Sequence, residues 1–177
     1  MAAIDFIGWS MNALVALMFV AIVGCMPVAD WPPAVASRAD ILELPSSQRD
    51  VRCIGINDEI LAELANHLPE LDYVYINSES TISDEGIESL QSLSKLRQIV
   101  IEDCSMLTDQ SVSALATLPI LKELLLKNGS NISETAFNRF DGNQRLRLLD
   151  LDGFPQLTPK AITRLQEAPP NCDVRVR

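Results

Sequence analysis

The sequence predicts an α/β solenoid in which short parallel strands alternate with helices along the chain. Leucines recur at intervals of 25 residues, at Leu71, Leu96, Leu121 and Leu146. Apolar residues alternate directly after each leucine, which is typical of a strand with one buried face. Later in each unit a hydroxyl residue stands where a helix is expected to start. Since no single unit can bury its own apolar face, four copies in phase predict a stack of neighbours.

An apolar segment covers residues 1–25, and we expect it to be helical. Residues 6–29 carry no charge, and residues 13–23 are an unbroken apolar run with the length of the hydrophobic region of a secretory signal peptide. The tetrapeptide IVGC at 22–25 resembles the lipobox of bacterial lipoproteins. The resemblance implies that Cys25 is acylated and that the protein is membrane-anchored and extracytoplasmic. The uncharged stretch is also long enough for an uncleaved anchor, so a single-pass membrane protein is the alternative.

The next segment, residues 26–50, is predicted to be a linker. It contains four prolines among scattered polar residues, a composition that favours extended backbone. Three apolar residues near its end, Ile41, Leu42 and Leu44, suggest instead that this part caps the domain that follows.

The repeat domain is predicted over residues 51–177. Its units are residues 51–70, 71–95, 96–120, 121–145 and 146–170, with a terminal strand in 171–177, which makes six strands and five helices. The strand of the first unit is placed on Val51, Ile54 and Ile56. Hydroxyl residues that can cap the helices stand at Ser83, Thr108, Ser133 and Thr158. Acidic residues that complement the helix dipole follow the first three, at Asp84, Asp109 and Glu134. Small residues that predict close packing come next, at Gly86, Ser111, Ala136 and Ala161.

The shared pattern begins L-x-x-[VIL]-x-[IL] and resembles the leucine-rich repeat over residues 51–177. The hydroxyl–acidic helix start and Cys104 are similar to the cysteine-containing subclass of that family. The position that holds Asn or Cys in the family is occupied here by Glu79, Cys104, Gly129 and Phe154, so a continuous ladder of amides or thiols is not expected there. The resemblance implies a right-handed β-α solenoid with a short curved parallel sheet, helices on the outer face, and a function in protein contacts.

The concave face of this sheet is the predicted binding surface. The fourth and sixth positions of each L-x-x-L-x-L unit face the core, so the third and fifth point outward. The predicted contact residues are Tyr73, Tyr75, Gln98, Val100, Glu123, Leu125, Leu148 and Asp150. By the same count, the first unit contributes Cys53 and Gly55. Both tyrosines of the chain fall on this face and adjoin an apolar stripe of Tyr75, Val100 and Leu125 with Leu148 beside it, an arrangement in which partner contacts concentrate. The alternative is that these residues only shield one another on a small open sheet, or that the linker around residues 41–44 folds over them.

The charged residues of the last strands are expected to form exposed ion pairs between neighbouring strands. Asp150 and Asp152 each precede an arginine by 25 residues, at Arg175 and Arg177, and Lys127 precedes Asp152 by the same interval. Cys53 and Cys172 would lie about 24 Å apart across five strand spacings, so no disulfide is expected within the domain.

Composition and motifs disfavour several classes of function. The chain has 14 Lys and Arg against 24 Asp and Glu, a net charge of −10, which disfavours nucleic-acid binding. We find no nucleophile–base pair, phosphate-binding loop or clustered ligand set, so no catalytic residue, metal or cofactor is predicted. The sequence therefore predicts a membrane-tethered, non-catalytic module that binds an unknown protein partner, and the alternative is an assembly subunit of a larger membrane complex.

Overall fold

The computed structural model describes residues 31–167 and 171–177. Residues 33–177 form one compact unit, and the predicted N-terminal helix, with Cys25, lies outside the described residues. The strands are β1 (Ala34–Val35), β2 (Asp50–Cys53), β3 (Tyr73–Ile76), β4 (Gln98–Ile101), β5 (Glu123–Lys127), β6 (Leu148–Asp152) and β7 (Asp173–Val176). The helices are α1 (Arg38–Glu43), α2 (Asp58–His67), α3 (Asp84–Ser89), α4 (Asp109–Ala116) and α5 (Pro159–Glu167), with 3₁₀ helices at Leu90–Ser92 and Ala136–Phe140.

All seven strands pair in parallel and in chain order, from β1 to β7. Contacts also join α1 to α2, α2 to α3 and α3 to α4, so each unit packs against its neighbours in the chain. The predicted α/β class with a parallel sheet is confirmed, and the arrangement is solenoid-like. One continuous core extends from Val35 to Val174 between strands and helices. Within residues 31–167 and 171–177, no helix combines the length and apolar character needed to cross a membrane.

The array has one strand and one helix more at its start than the repeat pattern predicted. Ala34 and Val35 pair with Arg52 and Cys53, and α1 contacts α2, so part of the predicted linker continues the stack. Ile41 of α1 is fully buried in the core, whereas Leu42 is 57% exposed.

The register of the first predicted strand was wrong. The structure pairs Val51 with Val74 and Cys53 with Ile76, so Cys53 takes a core position and is fully buried. The outward positions therefore belong to Asp50 and Arg52 rather than to Cys53 and Gly55. The physical reason is that the first unit is shorter than the others, so its core residues stand 23 positions before those of β3.

The fourth predicted helix forms a 3₁₀ helix instead of an α-helix. Its Phe137 and Phe140 are both fully buried. In a 3₁₀ helix residues three apart lie directly above one another, so both rings point into the core. Ser133, the predicted cap, contacts the hydroxyl of Thr135 at 2.8 Å, and no side chain caps this helix.

Acidic residues join each helix start to the next in what we call the carboxylate–hydroxyl ladder. The Asp58 carboxylate accepts hydrogen bonds from the backbone N–H of Ser83 at 2.8 Å and from its hydroxyl at 2.6 Å. The same two bonds link Asp84 to Thr108, Asp109 to Ser133 and Glu134 to Thr158. The acidic residues, predicted only to complement helix dipoles, thus connect neighbouring repeats.

The small residue near the start of two of the helices leaves room for this carboxylate. A Cβ atom on Gly86 would overlap the Asp58 carboxylate. Ser111 stands at the equivalent position and is fully buried, and both its hydroxyl and its backbone N–H donate hydrogen bonds to Asp84. The predicted close packing is confirmed at Gly86 and Ser111, and the packed neighbour is a carboxylate of the preceding repeat.

Candidate interaction surface

The strand register places the predicted contact residues in two rows on the side of the sheet opposite the core, which we call the strand face. One row holds the third positions, Asp50, Tyr73, Gln98, Glu123, Leu148 and Asp173. The other holds the fifth positions, Arg52, Tyr75, Val100, Leu125, Asp150 and Arg175. All eight residues predicted from the sequence are therefore brought together by strand pairing.

The expected exposure of the apolar stripe is wrong, because Val100 and Leu125 are buried and so is Leu148 beside them. Val100 is 1% exposed, Leu125 7% and Leu148 8%. Val100 lies directly between Tyr75 and Leu125 on the flanking strands. A side chain inside a sheet has neighbours about 4.8 Å away on both sides, and these shield it from solvent. The more accessible part of the strand face is the third-position row, where Tyr73, Gln98 and Glu123 are half-buried.

Tyr75 is held in place by a buried carboxylate that the sequence analysis did not select. Its hydroxyl donates a hydrogen bond to Glu102, a residue only 9% exposed. Burial, together with Glu102, raises the pKa of Tyr75 far above its ordinary value. The ammonium of Lys127 lies 3.5 Å from Oε1 of Glu102. These contacts make Tyr75 a fixed part of the surface with its hydroxyl already occupied.

The charged residues of the last strands pair differently from the prediction. Arg175 stands opposite Asp150 in the register but binds Asp173 on its own strand at 2.6 Å. Arg177 reaches diagonally to Asp150, which is only 4% exposed, and Lys127 binds Glu102 instead of Asp152. Long side chains can reach diagonal as well as direct neighbours, so a constant interval of 25 residues does not determine the partners.

A shallow depression of about 270 Å³ lies where the strands begin, and we call it the strand-entry depression. It is lined by Asp50, Asp72, Tyr73, Arg97, Gln98, Lys122 and Glu123. Burial raises the pKa of Asp50, and the nearby charge of Asp72 raises it further. Asp72, Arg97 and Lys122 were not among the predicted contact residues, because only the third and fifth positions were expected to point outward. The signal was present, since the second position of every full repeat is charged.

Across residues 31–167 and 171–177, no three His, Cys, Asp or Glu side chains converge so as to hold a metal ion. The three cysteines of this region, Cys53, Cys104 and Cys172, are free thiols. Burial raises the pKa of Cys53 and Cys104 to about 12, which keeps them protonated and poorly nucleophilic near neutral pH.

No protein-family model matches the chain, and no curated protein sequence matches it significantly.

Proposed function

We propose that this chain is a non-catalytic leucine-rich-repeat module that is tethered to a membrane and binds a protein partner through its strand face. The observation that supports this most directly is the register of the sheet, which aligns side chains from neighbouring strands in two rows opposite the core. A partner that lies across the strands would contact several repeats at once. The sites of contact would be Tyr73, Gln98 and Glu123, whose side chains are only partly covered.

Preorganisation favours binding at this surface. Main-chain hydrogen bonds between strands hold the row, so little backbone order has to be gained when a partner binds. A tyrosine offers a large contact area with only two side-chain torsions to restrain, which lowers the entropic cost of binding. The half-buried Gln98 and Glu123 provide polar groups that discriminate between partners.

Site-specific photocrosslinking tests this surface in cells that produce the full chain. A photoreactive amino acid is placed at Gln98 on the strand face, and the matched control is placed at Gln110, which is exposed on α4. We expect an adduct from Gln98 that disappears when Tyr73→Ala or Glu123→Lys is added, with no equivalent adduct from Gln110. Absence of the Gln98 adduct, or equal adducts from both positions, would place the contact elsewhere.

The proposed tether is the N-terminal segment, with Cys25 as the acylated residue. A lipobox-like tetrapeptide overlaps the end of the apolar run, and stable anchoring is expected from two or more acyl chains. Cys25→Ser should abolish palmitate labelling and leave an uncleaved precursor, whereas the wild-type chain should begin at the modified cysteine. A membrane-bound wild-type chain that retains Met1 would instead establish a transmembrane anchor.

A further inference from the structure

Three cations stand side by side at the beginning of the strands, and we call them the cationic row. Arg97, Lys122 and Arg147 occupy the second position of successive repeats, and all three are exposed. Arg97 and Lys122 also line the strand-entry depression. Adjacent parallel strands are about 4.8 Å apart, so the Cα atoms of the outer two lie about 10 Å apart.

The backbone under the cationic row is held by paired hydrogen bonds. The carbonyl of Arg97 accepts from the N–H groups of Lys122 at 2.8 Å and Glu123 at 3.0 Å. The carbonyl of Lys122 accepts in the same way from Arg147 at 2.7 Å and Leu148 at 3.1 Å. This repeated arrangement fixes the distance between the cations and prevents their backbones from moving apart to reduce repulsion.

The charges of the row are only partly neutralised by the protein itself. Asp72, at the second position of the preceding repeat, pairs with Arg49 at 2.7 Å and with Arg97 at 3.5 Å. Lys122 and Arg147 form no salt bridge with any residue of the described chain. Two adjacent, exposed cations thus have no salt-bridge partner among residues 31–167 and 171–177, in a protein whose net charge is −10.

We propose that the cationic row is a docking site for an acidic peptide segment of the protein partner. This inference rests on the proposed binding function and identifies the chemistry of one part of the partner. A segment with two or three carboxylates would neutralise Lys122 and Arg147 and continue from there into the strand-entry depression. Its charge would steer the encounter toward this edge, since the rest of the protein repels acidic partners.

The dimensions and surroundings of the row favour a short peptide over an extended polyanion. The row spans only about 10 Å, or two strand spacings. Asp50 and Glu123 line the depression beside it, and their carboxylates would repel the continuous phosphate chain of a nucleic acid or an anionic membrane surface. A peptide can place neutral or basic residues next to these carboxylates and acidic residues over the cations.

Peptide titration of the full-length protein in nonionic detergent tests the proposal. The probe is a tetramethylrhodamine-labelled decapeptide with three glutamates among glycines, and its neutral control replaces each glutamate by glutamine. Anisotropy is followed at about 50 mM salt, where exposed charges still interact over a useful distance. The test variant combines Lys122→Glu with Arg147→Glu. The matched variant combines Arg139→Glu with Lys160→Glu, two exposed cations of the helical elements, so both variants change the net charge from −10 to −14.

The wild-type protein is expected to bind the acidic probe and not the neutral one. The test variant should bind at least tenfold more weakly, while the matched variant stays within about twofold of wild type, as expected for a local rather than a net-charge effect. Circular dichroism and thermal unfolding verify that both variants fold. No binding by the wild type, equal losses in both variants, or equally effective displacement by inorganic phosphate would overturn the proposal.

The titration and the crosslinking experiment fail independently. Probe binding without a Gln98 adduct would leave the cationic row as an acidic-peptide site and remove the strand face as the partner surface. A Gln98 adduct without probe binding would retain the interaction function and exclude an acidic segment at this edge.

Discussion

Replacement of Gly129 by alanine is expected to destabilise the protein through one identifiable overlap. Gly129 and Phe154 occupy the same position in successive repeats, and the phenylalanine ring fills the space beside the glycine. A Cβ atom on Gly129 would lie 2.7 Å from Cδ1 of Phe154 and closer still to Cζ and Cε1. The ring cannot swing away freely, because it packs edge-to-face against Phe137 with a centroid distance of 5.5 Å.

The expected cost follows from the size of this overlap. Ordinary contacts begin near 3.4 Å, so the ring or the strand end has to move by roughly an ångström inside a close-packed region. Overpacking of this kind typically costs about 1–3 kcal/mol, against a total stability of about 5–15 kcal/mol. For a chain of this length, that corresponds to a decrease of about 2–12 °C in Tm.

A double-mutant cycle separates the overlap from other effects of the substitution. Thermal and urea unfolding of the full-length protein are followed by circular dichroism for Gly129→Ala, Phe154→Leu and the double variant. The smaller leucine should relieve the overlap, so the two substitutions together should cost less than the sum of their separate costs, with a coupling of about 0.5–3 kcal/mol. Gly55→Ala is the control, since its Cβ would meet no atom within 4 Å and its cost arises from a positive φ of 64°.

The effect of Gly55→Ala should add to that of Phe154→Leu without coupling, because the two sites lie on distant repeats. A stability of Gly129→Ala within about 0.5 kcal/mol of wild type would show that the overlap has no energetic cost. If Phe154→Leu failed to reduce the cost of Gly129→Ala, the ring would not be the obstacle.

Three further measurements examine other parts of the structure. Leu124→Ala in the central strand β5 should lower the free energy of unfolding by about 2–5 kcal/mol. Val176→Ala truncates a half-buried side chain in the terminal strand β7 and should cost much less. Equal losses in urea unfolding would contradict a stack whose repeats are stabilised by their nearest neighbours. Burial raises the pKa of Asp84, but the four hydrogen bonds that it accepts outweigh burial and hold the pKa below its ordinary value. The contribution of Asp84 to stability is therefore fully present above the unfolded-state pKa of about 3.9, and it is lost as pH falls through the lower folded pKa. Asp84→Asn should flatten this part of the plot of stability against pH. An unchanged plot would contradict a stabilising role for the carboxylate–hydroxyl ladder. Iodoacetamide at pH 8 should leave fully buried Cys53 unmodified in the folded protein while half-buried Cys172 reacts, and similar rates would contradict the register of β2.

Much of the fold could be predicted because repeated local patterns carry it. The alternation of Val74 and Ile76 and its recurrence at 25-residue intervals identified β3 to β7 and the side of each strand that faces the core. The hydroxyl residues at Ser83 and Thr108 correctly located two helix starts, where their side chains accept hydrogen bonds from the first turn. Each of these features depends on residues close together in the chain, so the sequence displays them directly.

The first predicted strand and the fourth predicted helix were less predictable, because they depend on contacts between residues that are far apart in the chain. The spacing of Val51, Ile54 and Ile56 fitted the repeat, but pairing with β3 placed Val51 and Cys53 in the core positions. Ser133 was expected to cap an α-helix because of its position in the repeat. The chain instead forms a 3₁₀ helix there, which buries two phenylalanine rings. In both places the packing against neighbouring repeats outweighed the local pattern.

The sequence by itself determined the period of the repeats, the parallel α/β class and the rows of residues opposite the core, because these follow from the chemistry of each residue and its place in the unit. Only the tertiary structure decided that Val100 and Leu125 are buried and that Arg177 rather than Arg175 binds Asp150. It also decided that Lys122 forms no salt bridge within the part of the chain that the structure describes. Exposure depends on what surrounds a side chain, and the partner of a long charged side chain depends on which neighbour it can reach. Both are properties of the assembled sheet, in which residues from successive repeats lie about 4.8 Å apart.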